Sequence, residues 1–391
     1  MTRTRKQVKE TRKPVKIKGF DKYIFLATLL LVAIGIVMVF SASYVNASQR
    51  YGDPYHFLKK NIFFAVLGTI VMIFMSFFSY KKIEKLRWTI AGTAAVLLVI
   101  VLTPLGTSFN GAQRWILIGP LTIMPSEIAK FASIILIAKY IKPKLIQKSL
   151  LGALNPIMIA GFFFAMIVLQ PNLSTAGSII ITSVCMLFAA GLQFKYVIGT
   201  VAAGLSAGGL LAFISPYRWK RVTSFMDPFK DELGNGYQVI QSLYALGTGG
   251  LFGLGLGRSN EKFLYIPEPQ NDFIFAIIGE ELGYIGCIII LMVYVFLIYR
   301  CIKVAMNAPD FFSCMLVTGI ASQIGVQVLL NVAVVTSSMP PTGIPLPFIS
   351  YGGTSLVILM AAVGMVLNVS RYSRANEAKT RQDKQDGIGA E

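Results

Sequence analysis

Long stretches without a charged residue dominate the chain. Because a transmembrane helix needs roughly 20 predominantly apolar residues, stretches of this kind are candidate membrane spans. The two longest, 149–194 and 311–370, each have room for two spans. The other predicted spans lie at 21–43, 61–80, 88–113, 125–141, 196–217 and 282–299. The pattern therefore predicts about ten transmembrane helices.

Helices are favoured over the alternative membrane architecture, the β-barrel. A barrel needs ten-residue strands that alternate apolar and polar side chains, and the sequence shows no such alternation. Within lipid every backbone N–H and C=O must be satisfied inside the protein, which a helix achieves within a single segment. We therefore expect an all-α, polytopic integral membrane protein.

Composition supports this class and excludes others. The chain of 391 residues is 55% hydrophobic and only 14% charged, and its mean hydropathy is +0.66. Soluble domains carry about 25% charged residues. An ordinary soluble enzyme, a disordered chain and a disulfide-stapled scaffold are therefore all excluded.

The positive charge predicts an orientation. The chain has 36 Lys and Arg against 18 Asp and Glu, and placing both termini in the cytoplasm assigns 25 of these bases to that side. Residues 1–20 form a basic tail, and 371–391 form a polar one; both are expected to be disordered, flanking a membrane domain over 21–370. Beside a membrane, the basic tail favours anionic lipid over nucleic acid as its partner.

The residue inventory argues against metal and disulfide chemistry. His56 is the one histidine, which excludes a His-based triad or zinc centre and leaves an interfacial loop position. None of the four cysteines lies in a C-x-x-C pair. We therefore predict no protein-built metal site.

One long extracytoplasmic loop, 216–271 between spans seven and eight, concentrates polar chemistry. It contains Arg218, Arg221 and Lys262, and it ends at Asp272. Asp272 is either a partly desolvated base at a cavity mouth or the N-cap of the next helix. The six glycines of 247–257 are either turn formers or a re-entrant loop that offers N–H groups to an anion.

Ionisable residues within the predicted spans are functional candidates. Glu127 and Lys130 are i, i+3 neighbours that can neutralise each other, either as a structural pair or as part of a substrate cavity. Glu280 and Glu281 lie about two turns beyond Asp272 and point in different directions. A polar stripe on the ninth span is expected to hydrogen-bond to neighbouring helices; its members are Gln323, Gln327 and Asn331.

Five sequence runs stand out together by their order and spacing. The runs are MPSEIAKFA (124–132), QPNLSTA (170–176), YQVIQSLYALGTGGLFGLGLG (237–257), PEPQNDFIFAIIGEELG (267–283) and PPTGIPLPFISYGG (340–353). Together they resemble the SEDS family of bacterial cell-wall polymerases (FtsW, RodA, SpoVE), most closely the FtsW/SpoVE type. The resemblance covers roughly 20–370, the whole membrane portion.

The resemblance implies a multi-pass protein of the bacterial cytoplasmic membrane that polymerises lipid II into glycan strands at the outer face, in cell division. The family's essential acid falls on Asp272. Its arginines fall on Arg218 and Arg221, and its intramembrane charges fall on Glu127 and Lys130. Trp115 lies in a segment similar to the family's Trp-bearing one. Asn172 replaces the family's usual acid, so we expect Glu127 to be the partner of Lys130.

The implied chemistry agrees with the residues present. An undecaprenyl diphosphate leaving group needs cations, which Arg218, Arg221 and Lys262 supply, and the acceptor hydroxyl needs one base, Asp272. Glu280 and Glu281 would support the cavity. No cofactor is required, although a divalent cation (Mg or Mn) at the diphosphate is compatible with this chemistry. The resemblance implies lipid II, the nascent glycan strand, a class B penicillin-binding protein and other divisome or cell-wall proteins as partners.

Two other functions compete with glycosyl transfer. A transporter that flips the lipid-linked precursor without making a bond would also use many spans and intramembrane charges. A scaffold that only recruits partners would leave the intramembrane ionisable groups unexplained. The absence of a clear inverted repeat favours the enzyme over the transporter.

Overall fold

The computed structural model describes residues 19–109, 112–119, 121–146, 150–214, 219, 222–223, 225–231, 236–259 and 268–388. The described part is mostly helical, with one small sheet. The helices are α1 (Lys22–Tyr51), α2 (His56–Phe77), α3 (Tyr80–Lys85), α4 (Arg87–Val101), α5 (Pro125–Tyr140), α6 (Pro143–Ile146), α7 (Leu154–Val168), α8 (Leu173–Ala189), α9 (Phe194–Ile214), α10 (Tyr237–Gly249), α11 (Ile274–Met306), α12 (Phe311–Val335) and α13 (Thr354–Ile388). Two short 3₁₀ helices lie at Leu150–Ala153 and Pro228–Asp231.

Each predicted span overlaps a helix, as expected of a multi-pass membrane protein. Five helices have the length and hydropathy of a complete span: α1, α2, α11, α12 and the part of α13 over Thr354–Ser373. Three shorter apolar helices are α4, α7 and α8. The number of ten spans and the orientation stay predictions.

Large apolar side chains cover the outer surface of α2. Phe63, Ile70 and Phe74 are 57%, 60% and 63% exposed, whereas Met72 on the opposite face is fully buried. In water such a surface would be costly, but lipid tails solvate it without penalty. This face of α2 therefore suits contact with the bilayer.

Helix packing relies on small residues where helices come closest. A methyl group on Gly68 of α2 would lie 2.5 Å from the sulfur of Met360 on α13. A methyl group on Gly364 of α13 would lie equally close, 2.5 Å, to the carbonyl oxygen of Met72. Because lipid gives no hydrophobic drive for association, close backbone approach of this kind stabilises the helix pair.

Polar contacts tie the helix ends together at one end of the bundle. Arg300 near the end of α11 pairs with Asp21, which caps α1 and accepts hydrogen bonds from the backbone N–H of Tyr23 and Ile24. The Asp21 N–H donates to Ser370 Oγ of α13 over 2.9 Å. These residues belong to segments that the charge pattern assigns to the cytoplasm.

The all-α prediction is wrong at one place. The predicted span 88–113 ends as a helix at Val101, and the chain then forms an antiparallel sheet in the order β1 (Gly106–Phe109), β2 (Ala112–Ile118), β3 (Leu121–Ile123). An Asn-Gly pair at 110–111, between β1 and β2, and the β-branched and aromatic residues around it are typical hairpin signals. The charge-free stretch 88–113 therefore contains a strand as well as a helix.

Two further predicted segments contain helix. The long segment 216–271 contains α10, whose Val239, Ile240 and Ala245 are buried. The last helix, α13, continues to Ile388 through the predicted disordered tail. Ala, Glu, Lys, Arg and Gln are frequent there, and these residues favour helix without needing an apolar face.

Candidate active site

Asp272 lies at the start of α11, on the chain that enters the bundle. Helix α11 begins at Ile274 with Phe273 in the N-cap position, so Asp272 is not the N-cap. The carboxylate is half-buried, and the residues that follow it, from Phe273 to Ile278, are buried. Of the two sequence interpretations, the structure removes the capping one and leaves a carboxylate at the edge of a buried helix.

Asn331 of α12 fixes the backbone beneath this carboxylate. Its side-chain amide donates one hydrogen bond to the carbonyl oxygen of Asp272 over 2.7 Å and a second to that of Ile344 over 2.8 Å. Asn331 is 1% exposed, so both bonds are shielded from water. The amide thus joins the segment that carries Asp272 to the segment 339–353. The interhelical bonding predicted for the polar stripe on this helix is confirmed at Gln323, which accepts from Thr182 of α8 over 2.9 Å, whereas Asn331 bonds to two non-helical segments.

The segment 339–353 forms the other wall beside Asp272. Gly343 has φ +72°, a left-handed conformation that glycine adopts without strain. A methyl group at Gly343 would lie 3.5 Å from Asp272 Oδ2, so the backbone passes directly next to the carboxylate. The N–H of Tyr351 donates to the carbonyl oxygen of Gln270 over 2.9 Å, which fixes the same two segments at a second point.

An exposed ion pair supports the segment from the side of α1. Arg50 Nη1 lies 3.3 Å from Glu268 Oε1. The amide of Asn271 donates to the other carboxylate oxygen of Glu268 over 2.7 Å. Sequence reasoning missed Arg50 because 218 positions separate it from Glu268. Exposed pairs of this kind contribute little stability, and this one orders the chain just before Asp272.

Glu280 and Glu281 face a break in α11 and share one partner, Ser259. The hydroxyl of Ser41 on α1 donates to the Glu281 carboxylate, 2.6 Å from Oε1 and 2.8 Å from Oε2, and the N–H of Ser259 donates to Glu281 Oε1 over 3.4 Å. Glu280 accepts from the hydroxyl of Ser259. Both carboxylates are buried, at 0% and 1% exposure. Because both carboxylates accept from Ser259, the prediction that the two side chains point to different surroundings is wrong there; only the Ser41 contact of Glu281 distinguishes them.

The glycine-rich run packs into the helix break that follows these acids. Gly283 has φ +69° and ψ −175°, which interrupts the helical ladder. The freed carbonyl oxygens of Glu280 and Glu281 accept instead from the N–H groups of Leu254 and Gly255, over 2.9 and 3.0 Å. Non-helical backbone at membrane depth is tolerated when its polar groups are satisfied within the protein. The N–H groups of Leu254 and Gly255 therefore bind the protein's own carbonyls, so they are not offered to an anion.

Glu127 and Lys130 form a buried ion pair on α5. Lys130 Nζ lies 2.8 Å from Glu127 Oε1, and their side chains are 2% and 7% exposed. Glu127 lies in the first turn of its helix, where the helix dipole favours a negative charge. Asn172 instead caps α8, accepting from the N–H of Thr175 over 3.3 Å. The predicted pairing of Lys130 with Glu127 is confirmed.

Trp115 lies on β2, opposite Thr107 of β1. The sheet lies at the same end of the bundle as Asp272, since Thr354, just after the segment 339–353, donates to the carbonyl oxygen of Thr122 in β3 over 2.7 Å. Arg114, the neighbour of Trp115 on β2, donates to the carbonyl oxygen of Pro171, which is next to Asn172. The sheet therefore connects two of the segments that carry candidate residues.

The three predicted diphosphate ligands, Arg218, Arg221 and Lys262, lie outside the described residues. Ser259, the nearest described residue before Lys262, is anchored by Glu280 as given above. Within the described ranges, no three His, Cys, Asp or Glu side chains converge as a protein-built metal site requires. A divalent cation at the diphosphate stays a prediction, because substrate oxygens would be its main ligands.

Comparison with known proteins identifies close relatives over nearly the whole chain. The model of the FtsW, RodA and SpoVE family, described as cell cycle protein, matches residues 21–375. Stage V sporulation protein E of Bacillus subtilis (strain 168) is 44% identical over 362 residues, covering 90% of this chain and 98% of the relative. A probable peptidoglycan glycosyltransferase FtsW of Geobacter sp. (strain M18) is 37% identical over 364 residues, covering 92% and 99%.

Solved structures show the same fold. A chain from a peptidoglycan synthase complex, described as coordinating polymerization and crosslinking, superposes with a TM-score of 0.75 at 28% identity, covering 90% of this chain and 98% of that one. The crystal structure of the rod shape determining protein RodA of Thermus thermophilus gives a TM-score of 0.67 at 26% identity, covering 90% and 97%.

Proposed function

The chain belongs to the FtsW, RodA and SpoVE family, and from this membership and the geometry around Asp272 we propose that it is a peptidoglycan glycosyltransferase. It polymerises lipid II into glycan strands at the outer face of the bacterial cytoplasmic membrane, in cell division. The observation that carries the mechanism is the fixed position of Asp272. Its backbone is held by Asn331 and its carboxylate lies against the backbone of Gly343.

The reaction needs one base and one leaving group. Asp272 takes the proton from the 4-hydroxyl of the acceptor sugar, and that oxygen attacks the anomeric carbon of the donor. The bond from this carbon to the diphosphate oxygen breaks, and undecaprenyl diphosphate leaves with the electron pair. Direct displacement inverts the anomeric carbon. A second catalytic carboxylate, which a glycosidase requires, has no step to perform here.

Cations stabilise the leaving diphosphate in this proposal. Arg218, Arg221 and Lys262 are the candidates by their residue type and their place in the sequence. Guanidinium groups bind phosphate oxygens in a bidentate way, which orients the donor as well as neutralising charge. The anchoring of Ser259 by Glu280 supports this assignment, because it fixes the chain three residues before Lys262.

The proposed partner is a class B penicillin-binding protein that crosslinks the strands the polymerase makes. Support comes from the solved relative, whose complex is described as coordinating polymerization and crosslinking. The assay should therefore contain both proteins in one membrane. Lipid II carrying a fluorescent label then gives a ladder of glycan strands on a gel.

The decisive variant is Asp272→Asn, which keeps the size of the side chain and removes the base. Loss of a general base lowers the rate by about 10²- to 10⁴-fold. Asp53→Asn is the matched control, because it makes the same change at a carboxylate in the exposed α1–α2 turn. A hydrogen bond from Lys59 at 2.9 Å holds the pKa of Asp53 below its ordinary value. Full activity of Asp272→Asn would refute the base assignment. Translocation of lipid II across liposomes with no glycan product, in wild type with its partner, would favour the transporter.

A further inference from the structure

In the part of the chain that the structure describes, three buried polar atoms of residues near Asp272 have no hydrogen-bond partner. They are the side-chain oxygens Gln270 Oε1, Asn331 Oδ1 and Thr342 Oγ1. Gln270 and Asn331 are 2% and 1% exposed. A buried oxygen without a donor costs free energy, and native proteins satisfy nearly all such atoms with water or a ligand.

The three residues come from different segments that meet at one carboxylate. Gln270 precedes Asp272 by two positions on the same chain segment. Asn331, on α12, is hydrogen-bonded to the backbone oxygen of Asp272. Thr342 is the neighbour of Gly343, whose backbone lies against the Asp272 carboxylate. The three residues that carry these oxygens therefore lie in the segments around Asp272.

The chemistry of these atoms selects the kind of ligand. The two amide oxygens only accept hydrogen bonds, and the hydroxyl of Thr342 both donates and accepts. A diphosphate would present more acceptor oxygens to them and would be repelled. A neutral group rich in O–H and N–H donors, such as an N-acetylated sugar, satisfies all three.

We propose that Gln270, Asn331 and Thr342 form a subsite that binds hydroxyl and amide N–H groups of the acceptor sugar beside Asp272. The inference rests on the proposed glycosyltransferase function and deepens it. It divides the site into an acceptor side built from neutral oxygens and a donor side built from cations. The subsite holds the acceptor so that its reacting hydroxyl faces the carboxylate.

The test varies the acceptor separately from the donor. A lipid II analogue that lacks the 4-hydroxyl acts only as donor and is held at a fixed saturating concentration, so that it occupies the donor side. Ordinary lipid II is then varied below that concentration and serves as the acceptor, with the partner protein present. The variants Thr342→Val and Gln270→Leu remove the oxygens at nearly constant volume. We expect the KM for the acceptor to rise about 2- to 10-fold in each, which is the worth of one neutral hydrogen bond. The kcat and the dependence on donor concentration should stay close to wild type.

Two controls separate binding from structure. Thr342→Ser restores the hydroxyl and should restore the KM of wild type. Thr336→Val removes an exposed hydroxyl at the end of the same α12, where it bonds only to its own helix and to Ser338, and should leave the kinetics unchanged. A KM for the acceptor equal to wild type in both Thr342→Val and Gln270→Leu would overturn the subsite and assign these oxygens to hydration water. An equal rise of the donor KM would also overturn it. Absence of glycan product from wild type would instead refute the proposed function itself.

Discussion

Replacing one member of the Lys130–Glu127 ion pair should lower the free energy of unfolding far more than replacing both members. The two charged groups lie 2.8 Å apart, and their side chains are 2% and 7% exposed. Lys130→Met leaves Glu127 as a buried charge without its partner. Removing one member of a buried pair costs about 3–5 kcal/mol, whereas replacing both by neutral groups is often neutral or stabilising.

The measurement is a double-mutant cycle on the free energy of unfolding. Wild type, Lys130→Met, Glu127→Gln and the double variant are unfolded reversibly in mixed detergent micelles. We expect each single variant to lose about 3–5 kcal/mol and the double variant to recover most of that loss. Additive losses in the double variant, with no recovery, would refute the pairing as the reason for the burial of these charges.

The same four proteins decide between the two roles of the pair. If the pair is structural, the double variant should polymerise lipid II at a rate close to wild type once its stability is recovered. If the charges shape the substrate cavity, the double variant should fold but lose activity. The cycle thus uses stability and rate as independent readouts.

Three further substitutions test the geometry around Asp272. Asn331→Ala removes two buried donors and should lower kcat at least tenfold, because the backbone of Asp272 loses its tether; steady-state kinetics check this. Gly343→Ala forces a side chain into a left-handed position 3.5 Å from the Asp272 carboxylate and should lower polymerase activity more than stability, measured by rate and unfolding temperature together. Gly283→Ala would bring a methyl group 2.3 Å from the backbone nitrogen of Gly253 and should destabilise the protein, as thermal unfolding would show.

Matched controls make these outcomes specific. Gly92→Ala, in α4, meets no atom within 4 Å and should change neither rate nor unfolding temperature. Asn307→Ala truncates the same side chain at the far end of α11, where it bonds to a carbonyl of its own helix over 3.1 Å. Wild-type kcat in Asn331→Ala would contradict the tether. Equal effects of Gly92→Ala and Gly343→Ala would contradict the close approach to Asp272.

Features with a local signal were predictable from the sequence. Charge-free stretches located the helices, because burial in lipid forbids unpaired charges over a fixed length. The i, i+3 spacing of Glu127 and Lys130 placed them on one helix face, and their ion pair follows from that spacing. The Asn-Gly pair at 110–111 was also a local signal, for a hairpin, but the charge-free stretch 88–113 around it indicated a membrane span instead.

Features made by distant segments were not predictable. The tether of Asn331 to Asp272 joins positions 59 apart, and the bond from Ser41 to Glu281 joins positions 240 apart. No periodicity encodes which helices meet, so these contacts follow only from the fold. The glycine-rich run shows the same limit. Its N–H groups bind the carbonyl oxygens freed at the break at Gly283, and no local pattern predicts that contact.

The initial rate of glycan strand formation from lipid II by Asp272→Asn, with the partner protein present, decides whether this carboxylate is the base. The variant must first show the unfolding temperature of wild type. We then expect a rate about 10²- to 10⁴-fold below wild type, with Asp53→Asn unchanged. A rate for Asp272→Asn within about twofold of wild type would contradict the claim that this carboxylate is the base.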